Sequence, residues 1–452
     1  MANSYLTHTQ SAGNRRTWTF SAWIKFSNVS TTVQRLFLAH NNTHPSTQID
    51  FNSNKIAVYH YNGSSLDLNL QTNRLFRDCN AWYHLLVAVD TTQSTADDRV
   101  KIYINGVQET SFAQRTNPSQ NFETEVNDNG AIAQVSGGGT PANPFDGYMS
   151  HVALVDGQAL APTVFGETDS TSGIWKFKSP SGVTWGTNGF HLKFENSGAL
   201  GTDSSGNTNT FTVNGNLKQA LDTPSNVHAT INSLGYAVSN NWTLANGNTS
   251  KASTPTTNAW RSGYGTIGAS SGKYYWEFKV DQIESSDPNN IMVGIIDAEK
   301  MKNESNNDYF TKQLYAYGYH AQAGNKMTGN GSSSVSSSYG AVYTANDIVG
   351  IAMDLDNSKI YFHKNGTYQN SGDPTSGSTG TGSAFTIQSG ITYLPAFAQY
   401  YGNEHFSINM GNGYFGTTAI TSAGSNGNGS LFEYDVPSGY YALNTKNINT
   451  YG

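Results

Sequence analysis

Two glutamates one residue apart, Glu123 and Glu125 in "FETEV", come nearest to a catalytic carboxylate pair, with Asn127 next in phase. Glycoside hydrolysis needs paired carboxyl groups about 5–5.5 Å apart for retention, or about 6.5–9.5 Å for inversion. Alternate residues of a strand share one face, so such a pair would sit at i and i+4 with an acidic helper between. Here the last carboxylate is missing and the segment is polar, which predicts an acidic loop. Glu277 and Glu433 stand singly in expected strands and are expected on solvent faces. His40 and His44 are close in a loop but lack the His-Glu-x-x-His spacing of a zinc site. The glycine-rich "SGGGT" at 136–140 has neither the lysine nor the strand-to-helix setting of a phosphate loop, and reads as a flexible turn. Cys79, the only cysteine, has no base beside it and is expected to be buried or edge-packed. The chain is therefore expected not to be an enzyme, and to carry no cofactor and no metal.

Aromatic side chains offer a different chemistry. Tyr315, Tyr317 and Tyr319 alternate in "QLYAYGYH", and His320 and Asn325 follow. Tyrosine combines a rigid contact area with a polar tip, so this stripe is a candidate recognition surface. The other reading packs it between sheets. Trp260 and Tyr264 carry the same two readings. Tyr59, Tyr61 and Asn62 flank a turn and are candidates for glycan contact.

The elements that position these residues are strands. Helical periodicity is nearly absent, and short apolar runs alternate with Gly, Asn, Ser and Pro. "TWTFSAWIKF" puts Trp18, Phe20, Ala22, Ile24 and Phe26 on one face, and Trp23 interrupts the polar face. "KIYINGV" at 101–107 and "KIYFHKNGT" at 359–367 repeat one phrase in which Asn-Gly supplies a left-handed turn. Alternation buries Ile102 and Ile104 in the first, Ile360 and Phe362 in the second. His363 and Lys364, inserted before the second Asn-Gly, predict a different turn register. "DTPSN" at 222–226 marks a boundary, and weaker strands open the second half near 236–244.

The chain has 452 residues, of which 36% are apolar and 12% aromatic, enough to fill the cores of two or three domains. Charged residues are only 13%, so the polar surface comes mainly from Asn, Ser, Thr, Gln and Gly. A net charge of −7 without a basic stripe disfavours a nucleic-acid partner. No apolar run reaches the length of a membrane span, and the first residues lack the pattern of a secretory signal.

In this order, "TWTFSAWIKF", "AWYHLLVAVD", "VKIYINGV" and "GYMSHVALVDGQAL" resemble a laminin-G-like, concanavalin-A-like jelly-roll module. "SGKYYWEFKV", "MVGIID", "DIVGIAMDLDNSKIYFHKNG" and "YLPAFAQY" resemble a SPRY domain. The resemblance implies an all-β chain of two antiparallel β-sandwich modules in tandem. Their expected bounds are 1–170 and 259–452, with a bridging segment of short strands over 171–258. Laminin-G-like modules often bind calcium; Asp97, Asp98 and Asp128 are available here but form no clear ligand set. "ENSGALGTDSSGNTNTFTVNG", "DTPSN" and "YDVPSGYYALNTKNI" are similar to segments combined with these modules in large structural proteins of marine tailed phages. The resemblance implies a non-enzymatic virion component: a fiber, appendage or capsid-surface protein, assembled in the host cytoplasm and exposed on the particle. Its expected partners are other virion proteins, a host-surface glycan or receptor, and further copies of itself, with a trimer the form common in fibers. A concanavalin-A-like glycan hydrolase and a purely structural connector are the alternatives.

Overall fold

The computed structural model describes residues 4–29, 32–137, 143–235, 242–253, 258–284, 290–301 and 308–452. Residues 138–140 of the glycine-rich turn and 236–241 of the expected weak strand lie outside them. The chain forms two compact units, Met1–Gln219 and Ala220–Gly452. The stretch 171–258, expected to bridge, divides between them. Phe190–Leu192 and Thr212–Asn214 pair with strands of the first unit, and Ser250–Ser253 pairs with His405–Asn409 of the second.

The first unit is an antiparallel sandwich of an eight-stranded and a six-stranded sheet. The eight-stranded sheet runs, in spatial order, Phe112–Thr116, Leu66–Thr72, Lys55–Tyr61, Ser46–Asn52, Gln34–His40, Ile132–Val135, Tyr5–Thr9 and Thr212–Asn214. The six-stranded sheet runs Phe190–Leu192, Gly147–Asp156, Thr17–Phe26, Trp82–Asp90, Val100–Ile104 and Val107–Gln108. Alternation decides the core. Trp18, Phe20, Ala22, Ile24 and Phe26 all enter it and meet Phe37, Ile49 and Phe51 from the facing sheet. Trp23 points the other way and is still buried, because its ring stacks on His84 at 5.1 Å and Trp175 donates to His84 Nδ1 at 3.1 Å. A second apolar layer, including Leu86, Ala153, Phe165 and Trp185, covers that outer face.

The second unit pairs a nine-stranded with a six-stranded sheet. Tyr274, Trp276, Phe278 and Val280 of strand Lys273–Gln282 face Ile291, Val293, Ile295 and Phe397 across the core. The outer face of the nine-stranded sheet is covered as well. Tyr275, Ala352 and Tyr361 lie under Phe432, Val436 and Tyr440 of the closing segment.

The repeated phrase forms one equivalent hairpin in each unit. Asn105 and Gly106 have φ of 49° and 80°; Asn365 and Gly366 have 48° and 82°. This is the left-handed pair that a two-residue hairpin turn requires. Asn105 Oδ1 accepts the His84 N–H, and Asn365 Oδ1 accepts the Ile348 N–H, each at 2.8 Å. The turn register is therefore the same in both, contrary to the expectation from His363 and Lys364. Those residues extend the strand Lys359–Lys364, and the equivalence runs through Asn-Gly rather than through "KIY".

Candidate functional site

Strand Ser46–Asn52 sends Ile49 and Phe51 into the core, so Gln48 and Asp50 stand on the opposite face of the eight-stranded sheet. Register then assembles a polar cluster in which Asp50, Arg35 and Gln48 are buried and Tyr59 is half-buried. Asp50 faces Arg35 on one side and Ala57 on the other; Gln48 faces Tyr59, which faces Asn69. Arg35 Nε donates to Asp50 Oδ1 at 3.2 Å. The Tyr59 hydroxyl lies 2.6 Å from Asp50 Oδ2 and 2.8 Å from Gln48 Oε1. It has one proton to give, and the carboxylate is the stronger acceptor. Asp50 and Arg35 are buried. Burial works against the Arg35 charge, but the Asp50 carboxylate more than offsets it and raises the Arg35 pKa. Burial and the neighbouring Asp50 both raise the Tyr59 pKa. The set is a buried cluster of opposite charges held together by strand register, and burial raises the Asp50 pKa while Arg35 and Tyr59 act to lower it.

Around it the face carries amides and aromatic edges. Asn69 donates to Gln114 Oε1 at 2.6 Å, and Asn69, Gln71 and Tyr59 are half-buried. The Tyr61 hydroxyl donates to Gly63 O at 2.9 Å, and its ring meets His44 edge-on at 4.7 Å. Asn62 is consumed by its turn: its Oδ1 accepts from Ser64 N and Ser65 N, each at 2.9 Å.

The acidic loop is paired with two arginines. Arg15 reaches Glu125 at 3.1 Å, Asp128 at 3.2 Å and Glu123 at 3.5 Å, while Arg16 reaches Glu123 at 2.7 Å. Asp97 pairs with Arg115 at 3.0 Å, and Asp98 with Lys101 at 3.0 Å. Among the described residues no three His, Cys, Asp or Glu side chains gather as a metal site. Cys79 is buried.

In the second unit the tyrosine stripe is corrected. Tyr317 and Tyr319 belong to the core between the sheets, and Tyr315 packs partly against it. Strand Ala316–His320 alternates, so His320 lies on the opposite face from Tyr319. The stripe is therefore not a recognition surface. Tyr264 is buried on the outer side of the same sheet. Trp260 and His320 do come together there, with ring centroids 6.0 Å apart. Tyr309 and Tyr400, which no local pattern singled out, complete the cluster at 4.8 Å and 5.7 Å from Trp260. Burial lowers the His320 pKa to about 4, so this ring is neutral near pH 7. Asn325 stays apart, its amide donating to Ser336 Oγ at 2.9 Å.

Glu277 is a second correction. It is fully buried rather than solvent-facing, because the closing segment lies over it. Glu433 is half-buried, and its carboxylate accepts from the backbone N–H and hydroxyl of Thr421.

The sequence matches two families. Residues 1–164 match the concanavalin A-like lectin/glucanases superfamily, and residues 273–413 match the SPRY domain. The chain thus carries a concanavalin A-like domain and a SPRY domain in tandem. No curated protein matches it. Among solved structures, the SPRY domain of human HERC1 is 21% identical over 34% of this chain and 85% of its own, with a TM-score of 0.26. A second human SPRY domain is 17% identical over 35% of this chain and 90% of its own, with a TM-score of 0.27. A putative carbohydrate binding protein from Bacteroides ovatus ATCC 8483 is 14% identical over 49% and 60%, with a TM-score of 0.33. Among the described residues no helix is long and apolar enough to cross a membrane.

Proposed function

We propose that this chain is a non-enzymatic carbohydrate-binding protein that serves as a surface component of a phage particle and attaches it to host glycans. The observation that carries the binding reading is the Arg35–Asp50–Tyr59–Gln48 cluster on the polar face of the eight-stranded sheet. Sugars are bound by fixed polar groups beside aromatic surface, and a set ordered in advance loses little entropy on binding. Arg35 and Asp50 pair with each other, and the neighbouring half-buried groups include Asn69, Gln71 and Tyr61, which suits an uncharged glycan. The match of residues 1–164 to the concanavalin A-like lectin/glucanases superfamily supports a carbohydrate ligand. The arginine pairing of Glu123 and Glu125 supports binding over hydrolysis, since a catalytic carboxylate must be free to take up or give a proton. The virion placement rests on the likeness of its segments to phage structural proteins, on its low charge and on its single cysteine.

A glycan array probed with the full chain tests the binding: selective retention on uncharged glycans is expected, and no retention on any glycan contradicts it. Antibody labelling of purified particles tests the location. Label on the particle exterior is expected; a chain buried against neighbouring virion proteins would make it a connector.

A further inference from the structure

Among the described residues, strand Ser334–Ser338 is the last strand of the second unit's six-stranded sheet, and Asn325–Gly329 is the one strand beside it. Proteins blunt such edges with lysine, proline, a bulge or a covering segment. This edge has no lysine, proline or bulge. Its register runs without a shift, and residues 332–338 read SSSVSSS. Val335 is 59% exposed. Among the described residues no further strand pairs with it, and no hydrogen bond outside the ladder reaches its backbone.

The ladder fixes which backbone groups point outward. The turn closes with Asn330 N–H donating to Ser333 O at 3.1 Å. Antiparallel pairs alternate between bonded and unbonded. Val335 and Ser337 therefore bond inward, to Thr328 and Lys326, and the N–H and C=O groups of Ser334, Ser336 and Ser338 face the open edge.

SSSVSSS is the same in both directions about Val335. We propose that this edge is a homodimer interface, in which two copies pair antiparallel through Ser334–Ser338 about a two-fold axis at Val335. In that register Ser334 of one copy faces Ser336 of the other. Both are outward-bonding residues, so their N–H and C=O groups satisfy each other. Val335 faces its own counterpart as an unbonded pair, the arrangement in which side chains approach most closely, and each covers the other's exposed apolar surface. Such an interface is isologous and closes on itself. It is smaller than the roughly 1,200 Å² of a stable standard interface, so the dimer is weak and depends on concentration.

Sedimentation velocity of the full chain from about 1 to about 200 μM covers the affinities expected of such an interface. The dimer fraction is expected to rise across that range. V335K sets two ammonium groups face to face at the axis and is expected to stay monomeric. V107K, at a comparably exposed valine of the first unit (62%), is expected to behave as wild type. Unbonded pairs hold Cα atoms about 4.5 Å apart, within disulfide reach. V335C is therefore expected to form a reducible cross-linked dimer under mild oxidation, while S337C, displaced along the strand from its own counterpart, is not. A monomer throughout, a dimer that V335K leaves intact, or equal cross-linking of both cysteine variants overturns the proposal.

Discussion

Tyr434 donates its backbone N–H, at 2.8 Å, to the carboxylate of Glu277, 157 positions earlier in the chain. Glu433 N–H reaches the other carboxylate oxygen at 2.9 Å, joined by Asn409 Nδ2 at 3.2 Å, and the Tyr275 hydroxyl lies 3.1 Å from the first. One buried acid thus pins the closing segment over the nine-stranded sheet. Burial pushes its pKa from 4.5 up to about 7. Between those values the folded chain holds a proton that the unfolded chain has released. The stability this group contributes is therefore fully present below pH 4.5 and lost as the pH rises through about 7, a difference of roughly 3 kcal/mol. E277Q should flatten that part of the stability–pH curve. Urea unfolding at pH 4 and pH 8 reads the difference, and equal pH dependence in both proteins would show that Glu277 does not titrate there.

The two hairpins make a packing prediction. Ile104 and Ile360 are buried in the cores of their units. Replacing either with Ala should cost about 2–5 kcal/mol, through lost burial and the cavity left behind. Chemical denaturation measures this directly. A cost near zero at either position would invert the assignment of faces in that strand.

Glycine requirements separate into strain and space. Gly106 has φ of 80°, and a Cβ there would fall 2.6 Å from the Trp175 ring. Gly130 has φ of 83° with nothing within 4 Å. G130A should cost only the left-handed conformation, about 1–2 kcal/mol. G106A should cost clearly more, because Trp175 also supports His84 and Trp23. Equal losses would mean that Trp175 moves aside freely.

Much of the fold was legible in alternation and turns. The run from Trp18 to Phe26 and the Asn105-Gly106 turn are local signals, and local signals survive folding. Features made by distant segments were not legible. Tyr275 and Glu277 share a strand face that would meet solvent, and only residues around 432–440, far along the chain, bury it. Tyr319 and His320 read as one surface, yet successive strand residues point to opposite sides of a sheet. Arg35 and Asp50 meet through hairpin register, including a shift between Arg35 and Phe37 that no local pattern announces. Tyr59 is a glycan candidate from its place beside a turn, but its partners come only with the sheet.

The central claim is that the polar face around Tyr59 binds glycan. Titration calorimetry of the full chain, with the glycan that an array selects, tests it most directly. Y59A and N69A change half-buried residues on that face and are expected to weaken binding about tenfold or more each, about 1.4 kcal/mol. W260A, in the other unit, is expected to leave the affinity unchanged. Wild-type affinity in Y59A and N69A, with loss in W260A, would contradict the account and move the binding site to the second unit.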